Sequence, residues 1–114
     1  MQSKRDKTIL KRIIEYCDDI TRTISEFDDT LETLSINKTF RHAVSMCILQ
    51  IGELTTHLTT EFVKANSQIP WKNIRGMRNI AAHHYEQFDM ARVHATITKD
   101  IPALRNCVQA LLLD

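Results

Sequence analysis

Glycine and proline are nearly absent from this chain, with two of each in 114 residues. That scarcity argues against a β-rich fold with many tight turns, because such turns draw on both residues. Cysteine is scarce as well. Cys17, Cys47 and Cys107 lie far apart, without a CxxC pair or a Cys/His metal spacing, which fits reduced thiols in the cytosol better than a disulfide framework. No apolar run has the length of a membrane span or the look of a signal peptide, and Leu111–Leu113 is only a helix end. Neither sign of charge dominates: 15 Lys and Arg face 14 Asp and Glu, for a formal net charge of +1. There is thus no global pull toward nucleic acid, and any such binding must come from local clusters. The expectation is a cytoplasmic protein with one domain over residues 1–114 and a single modest core.

What is present is helical periodicity. Ile9, Ile13, Cys17, Ile20, Ile24 and Phe27 recur at spacings of three and four, which predicts a first helix from about Lys4 to Phe27. "DDTLETLSIN" reads as a connection with room for one short helical turn. Asn37 is placed to cap a second long helix, whose stripe runs through Phe40, Val44, Cys47, Ile48, Ile51, Leu54, Leu58 and Phe62. Gly52 interrupts that stripe. A glycine inside a helix costs roughly 1 kcal/mol relative to alanine, so it marks a place where another backbone comes close. Pro70 suits the start of the next helix, "WKNIRGMRNIAA". Asp89 reads as the cap of a helix to about Lys99, and Pro102 is expected to break or kink that helix. A final apolar stretch from Ala103 to Leu113 closes the chain. The fold class is all-α, a bundle of four or five helices. Trp71 is expected in its core.

Charge is segregated along the chain. Lys4, Arg5, Lys7, Lys11 and Arg12 crowd the N-terminus; Glu15, Asp18, Asp19, Glu26, Asp28, Asp29 and Glu32 come next. The acidic run reads as a solvated helix face.

One stretch stands apart. "RNIAAHHY", Arg78 to Tyr85, packs an arginine, an asparagine, two of five histidines and one of two tyrosines into eight residues. On a helix Asn79 and His83 lie one turn apart, so the amide can orient the imidazole. Arg78 and Tyr85 share a face, whereas Arg78 and His83 point about 140° apart. Convergence on one substrate requires either that the helix distorts or ends near His83, or that a second copy supplies the missing partner. The residue types suit cleavage of a phosphodiester. Histidine exchanges a proton near neutral pH, and arginine offers a planar fork that matches phosphate oxygens. In RNA the neighbouring 2′-hydroxyl serves as the nucleophile, so neither a metal nor a cofactor is called for. Lys72 and Arg75 add positive charge on the same segment, a footprint for RNA. Glu53 and His57, four apart, could form half of a metal site, but such a spacing is more often an ordinary helical pair.

The pattern Arg78, four residues, His83, any residue, Tyr85 resembles the signature of the HepT-like branch of the HEPN superfamily. "QIGEL" at Gln50–Leu54, "IPW" at Ile69–Trp71, "IRGMRN" before the histidine and "DIPAL" at Asp100–Leu104 match in the same order. The resemblance is clear from about Phe40 to the C-terminus and looser over the first helix. It implies a homodimer with two Arg–His motifs facing one cleft, and a metal-independent endoribonuclease toxin of a type VII toxin–antitoxin pair. His83 would then move the proton and Arg78 would clamp the phosphate. Asn79 would support His83 or the substrate. Glu53 would be a further polar residue reaching the cleft, or a helix carboxylate paired with a basic side chain. A minimal nucleotidyltransferase antitoxin would transfer AMP to Tyr85, binding the dimer in a larger complex. A second reading is a catalytically inactive helical partner of that nucleotidyltransferase. His84, where the family pattern accepts almost any residue, reads as solvent-facing.

Overall fold

The computed structural model describes residues 3–28, 30–82 and 90–113, with backbone alone for 80–82. Its elements are α1 (Lys4–Phe27), α2 (Leu31–Ile36), α3 (Lys38–Thr56), α4 (Thr60–Ala65), α5 (Trp71–Ala82), α6 (Met90–Ala95), a π-helical segment (Thr96–Asp100) and α7 (Ile101–Leu113). No strand occurs among the described residues. Four long rods carry the bundle: α1, α3, α5 and the continuous helical run from α6 through α7. The short α2 and α4 turn its corners. The all-α expectation holds.

The core follows from the stripes. Leu10, Ile13, Cys17 and Ile20 of α1 are fully buried, as are Val44, Ile48 and Ile51 of α3. Burial of each such side chain contributes roughly 1.5–3 kcal/mol. At one end the Phe27 and Phe40 rings stack with centroids 5.4 Å apart. Asn37 caps α3, its Oδ1 accepting from the Phe40 amide at 3.1 Å. Trp71 is buried, its indole N–H donating to the Asn66 carbonyl at 3.0 Å.

Two expectations are corrected. The second stripe does not run as one helix through Phe62, because α3 stops at Thr56 and α4 starts at Thr60. Threonine hydroxyls explain the break. Thr55 and Thr56 donate to the carbonyls of Gly52 and Glu53, at 2.7 Å each, and Thr59 caps α4 by accepting from the Phe62 amide. Of the break or kink expected at Pro102, the break does not occur. The π segment precedes it, with the Ile101 amide reaching back five residues to the Thr96 carbonyl. Here the ladder is already rearranged just before the residue that cannot donate. The same segment keeps the apolar stripe in register. Val93, Ile97 and Ile101, all buried, are four apart, and each such step would swing the stripe about 40° on a regular α-helix. The proposed cap Asp89 lies outside the described residues.

Candidate functional site

Arg78 sits where α5 crosses α3, the most extensive helix pair in the bundle. Gly52 makes that crossing possible. A methyl group at Gly52 would stand 3.0 Å from both Cβ and the amide nitrogen of Arg78, and 3.3 Å from the Arg75 carbonyl oxygen. The expectation of a close backbone approach is met, inside one chain. Gly52 is thereby accounted for without a second copy.

The next residue holds the guanidinium. Arg78 Nη1 donates to Glu53 Oε1 at 3.0 Å, in a pair whose side chains are 42% and 47% exposed. At that exposure the pair contributes less than about 1 kcal/mol to stability. Its effect is orientation. Among the described residues this is the hydrogen bond the Arg78 fork makes, and since a guanidinium carries five N–H donors, the described residues use only a small part of the fork. Glu53 is therefore a helix carboxylate paired with a basic side chain, and the pairing is made at the motif.

Lys72, Arg75 and Asn79 fall within about 60° of one another on one flank of α5, beside Arg78. Lys72 and Asn79 are exposed and Arg75 is half-buried, its Nε shielded and unbonded among the described residues. The segment thus presents three cations to one side. His83, His84 and Tyr85 lie outside the described residues, and with them the question of how His83 meets Arg78. His57 ends α3 as an exposed residue, its amide bonded to the Leu54 carbonyl. No group of three metal-ligating side chains is found among the described residues. The opposite flank of α5 borders a mostly apolar groove of about 500 Å³, lined by Ile74, Met77, Thr96, Leu104 and Cys107 among others.

One residue was not singled out by its place in the sequence. Asp6 is 1% exposed, and its carboxylate accepts from the Thr59 amide (2.9 Å), the Thr59 hydroxyl (2.7 Å) and the Ser3 hydroxyl (3.0 Å). Burial alone would push this acid upward. The hydrogen bonds from Thr59 and Ser3, with the nearby Arg5 charge, outweigh it and hold the carboxyl below its ordinary value of 3.8. The sequence does carry a signal: Ser3 and Asp6 are spaced as a reciprocal helix cap, and the Asp6 amide donates to Ser3 Oγ at 3.1 Å.

Comparison with known proteins decides the family. The model of the family described as "Ribonuclease HepT-like" matches residues 10–111. The chain belongs to the HepT-like ribonuclease family. Among the relatives of this HepT-like chain is "Putative RNase MJ1380" of Methanocaldococcus jannaschii, 30% identical over 108 residues, which span 94% of this chain and 97% of that protein. Another, "Putative RNase TTE0752" of Caldanaerobacter subterraneus, is 28% identical over 111 residues, 96% of each. "Probable ribonuclease HepT" of Thermococcus cleftensis is 30% identical over 98 residues, 86% of this chain and 84% of the relative. No solved structure gives a significant match. No helix among the described residues is long and apolar enough to cross a membrane.

Proposed function

We propose that this HepT-like chain is a metal-independent endoribonuclease, the toxin of a toxin–antitoxin pair, cleaving RNA with Arg78 and His83. The observation that carries the reading is the presentation of Arg78. It is set by backbone contact at Gly52, turned by Glu53, bonded through one of its five donors among the described residues, and flanked by Lys72 and Arg75. That is the disposition of a phosphate clamp rather than of a structural ion pair.

In the reaction His83 takes the proton of a 2′-hydroxyl, and the freed oxygen attacks the adjacent phosphorus. Arg78 stabilises the charge that builds on the non-bridging oxygens. The bond to the 5′-oxygen then breaks, that oxygen takes up a proton, and a cyclic phosphate remains on the upstream fragment. Asn79 orients His83 or the substrate. Two copies of the chain face their motifs across a shared cleft, which brings Arg78 and His83 to one phosphate despite their divergence along a helix. A minimal nucleotidyltransferase silences the site: the Tyr85 hydroxyl attacks the α-phosphorus of ATP, pyrophosphate leaves, and the attached AMP occupies the place of the RNA phosphate.

The test is RNA cleavage by unmodified protein in EDTA, beside His83→Ala and Arg78→Lys. Cleavage should survive chelation and vanish with His83→Ala. Arg78→Lys should be severely impaired, because an ammonium cannot reproduce the fork. Absence of cleavage over a broad set of RNAs by folded, unmodified protein would replace this reading with that of an inactive nucleotidyltransferase partner.

A further inference from the structure

The basic N-terminus of α1 is not absorbed by the motif. Lys4, Arg5, Lys7, Lys11 and Arg12 are all exposed. Lys4, Lys7 and Lys11 recur at three and four residues, so they line one strip roughly 10 Å long. This placement works against the fold twice over. The first turns of a helix favour acids over cations, and like charges three or four residues apart repel. The acid within the stretch gives no relief to the strip, because Asp6 is buried and its oxygens are taken by Thr59 and Ser3. None of the three lysines forms an ion pair with a described residue. The three ammonium groups thus stand exposed on one face of α1, with Glu15 as the next charge along it.

The bonds from Thr59 to Asp6 also fix where the strip lies. They hold the first turns of α1 against the junction of α3 and α4. Glu53 lies in the last turn of α3, which ends at Thr56, and Thr59 follows just beyond that end, so the strip and the Arg78–Glu53 pair belong to the same end of α3. Positive charge therefore occurs at two places on helices that both pack against α3: α1 with three lysines, and α5 with Lys72, Arg75 and Arg78.

We propose that Lys4, Lys7 and Lys11 form a second contact for the phosphate backbone of RNA, apart from the site of cleavage. The proposal rests on the ribonuclease reading and extends it. Ammonium groups on flexible stems take phosphates without regard to base and release counterions on binding. Their contribution is to hold the strand, not to act on the scissile bond.

The experiment is cleavage of a long single-stranded RNA by the full chain, comparing wild type with Lys4→Ser/Lys7→Ser/Lys11→Ser across a potassium chloride series. The variant should raise KM about tenfold at low salt, leave kcat unchanged, and lower the log–log salt slope by about 2. Its melting temperature should equal or exceed that of wild type, since repulsion is relieved. The matching Lys→Arg triple should restore KM. If wild type cleaves RNA and the serine variant has the same KM and salt slope, the second contact is overturned while the ribonuclease reading stands. A fall in kcat at unchanged KM would also overturn it. A wild-type chain that neither cuts nor binds RNA overturns the ribonuclease reading, and this one with it.

Discussion

Replacing Gly52 by alanine sets two rules about helices against each other. In an open helix interior the change gains about 1 kcal/mol, because alanine loses less backbone entropy than glycine. Here the new methyl would meet Arg78 Cβ and N at 3.0 Å and Arg75 O at 3.3 Å. Two of those atoms belong to the α5 backbone, so the clash is relieved by moving a helix, not by turning a side chain. Overpacking costs roughly 1–3 kcal/mol, and the upper part of that range applies where two helices share their largest contact. The net effect is a loss of about 1–2 kcal/mol, or a melting temperature lower by about 4–8 °C. Gly76 supplies the control. No described residue lies within 4 Å of a methyl group placed there, so Gly76→Ala should gain the full propensity term and melt a few degrees higher. The assay is thermal unfolding of both variants beside wild type at one protein concentration, followed by circular dichroism. If Gly52→Ala rises as Gly76→Ala does, α3 and α5 do not approach at this point and the account of how Arg78 is placed is wrong.

Three further outcomes are expected. Glu53→Ala should lower RNA cleavage at least several-fold while shifting stability by less than about 1 kcal/mol, and Glu53→Gln, which keeps an acceptor for Arg78, should recover much of it; full activity in Glu53→Ala would remove the orienting role. Asp6→Asn should cost about 1–3 kcal/mol near neutral pH. Since the folded carboxyl titrates below its ordinary 3.8, the Asp6 contribution is complete above about pH 5 and is lost as pH falls through the folded value. The melting curves of wild type and Asp6→Asn should therefore converge in acid, and a gap that widens would contradict the assignment. Burial pushes the Cys17 thiol up to about 12, with the Asp18 charge adding, and the Cys47 thiol up to about 11, with Asp19 adding. A chromogenic disulfide reagent at pH 8 should accordingly titrate the exposed Cys107 quickly and all three cysteines only after unfolding; three fast equivalents from the folded protein would show that Cys17 and Cys47 are not sealed in.

The long helices were legible because each carries a stripe over several turns. The bounds of α1 agree with the pattern of Ile9 through Phe27, and Asn37 announces α3 by its chemistry as a cap. The breaks were less legible. Apolar spacing carries straight across from Leu54 to Phe62, while the interruption comes from threonine hydroxyls and from Asp6, 53 residues away from Thr59 in sequence. A local pattern cannot show a bond of that range. The π segment was hidden for a related reason: Pro102 signals that a ladder bond is missing, but not whether the chain answers by stopping or by rewinding before it. At the site, Gly52 announced a close approach and could not say to what. Arg78 stands out in the sequence as part of the motif that resembles the family's, whereas its pairing with Glu53 depends on the register between α3 and α5, which no single helix encodes.

That register divides the labour between two adjacent residues. Gly52 acts through packing, where a methyl group displaces a backbone and the cost falls on folding. Glu53 acts through a half-exposed ion pair, where removal costs the fold little and the guanidinium its direction. The two should fail differently. Gly52→Ala is expected to lower stability and activity together, because α5 moves and carries Arg78 with it. Glu53→Ala is expected to leave the melting temperature nearly in place while kcat falls, and Glu53→Gln to return most of it. Should Glu53→Ala instead melt far below wild type, the pair would be holding α5 to α3, and the site would owe its geometry to a strut and not to a glycine.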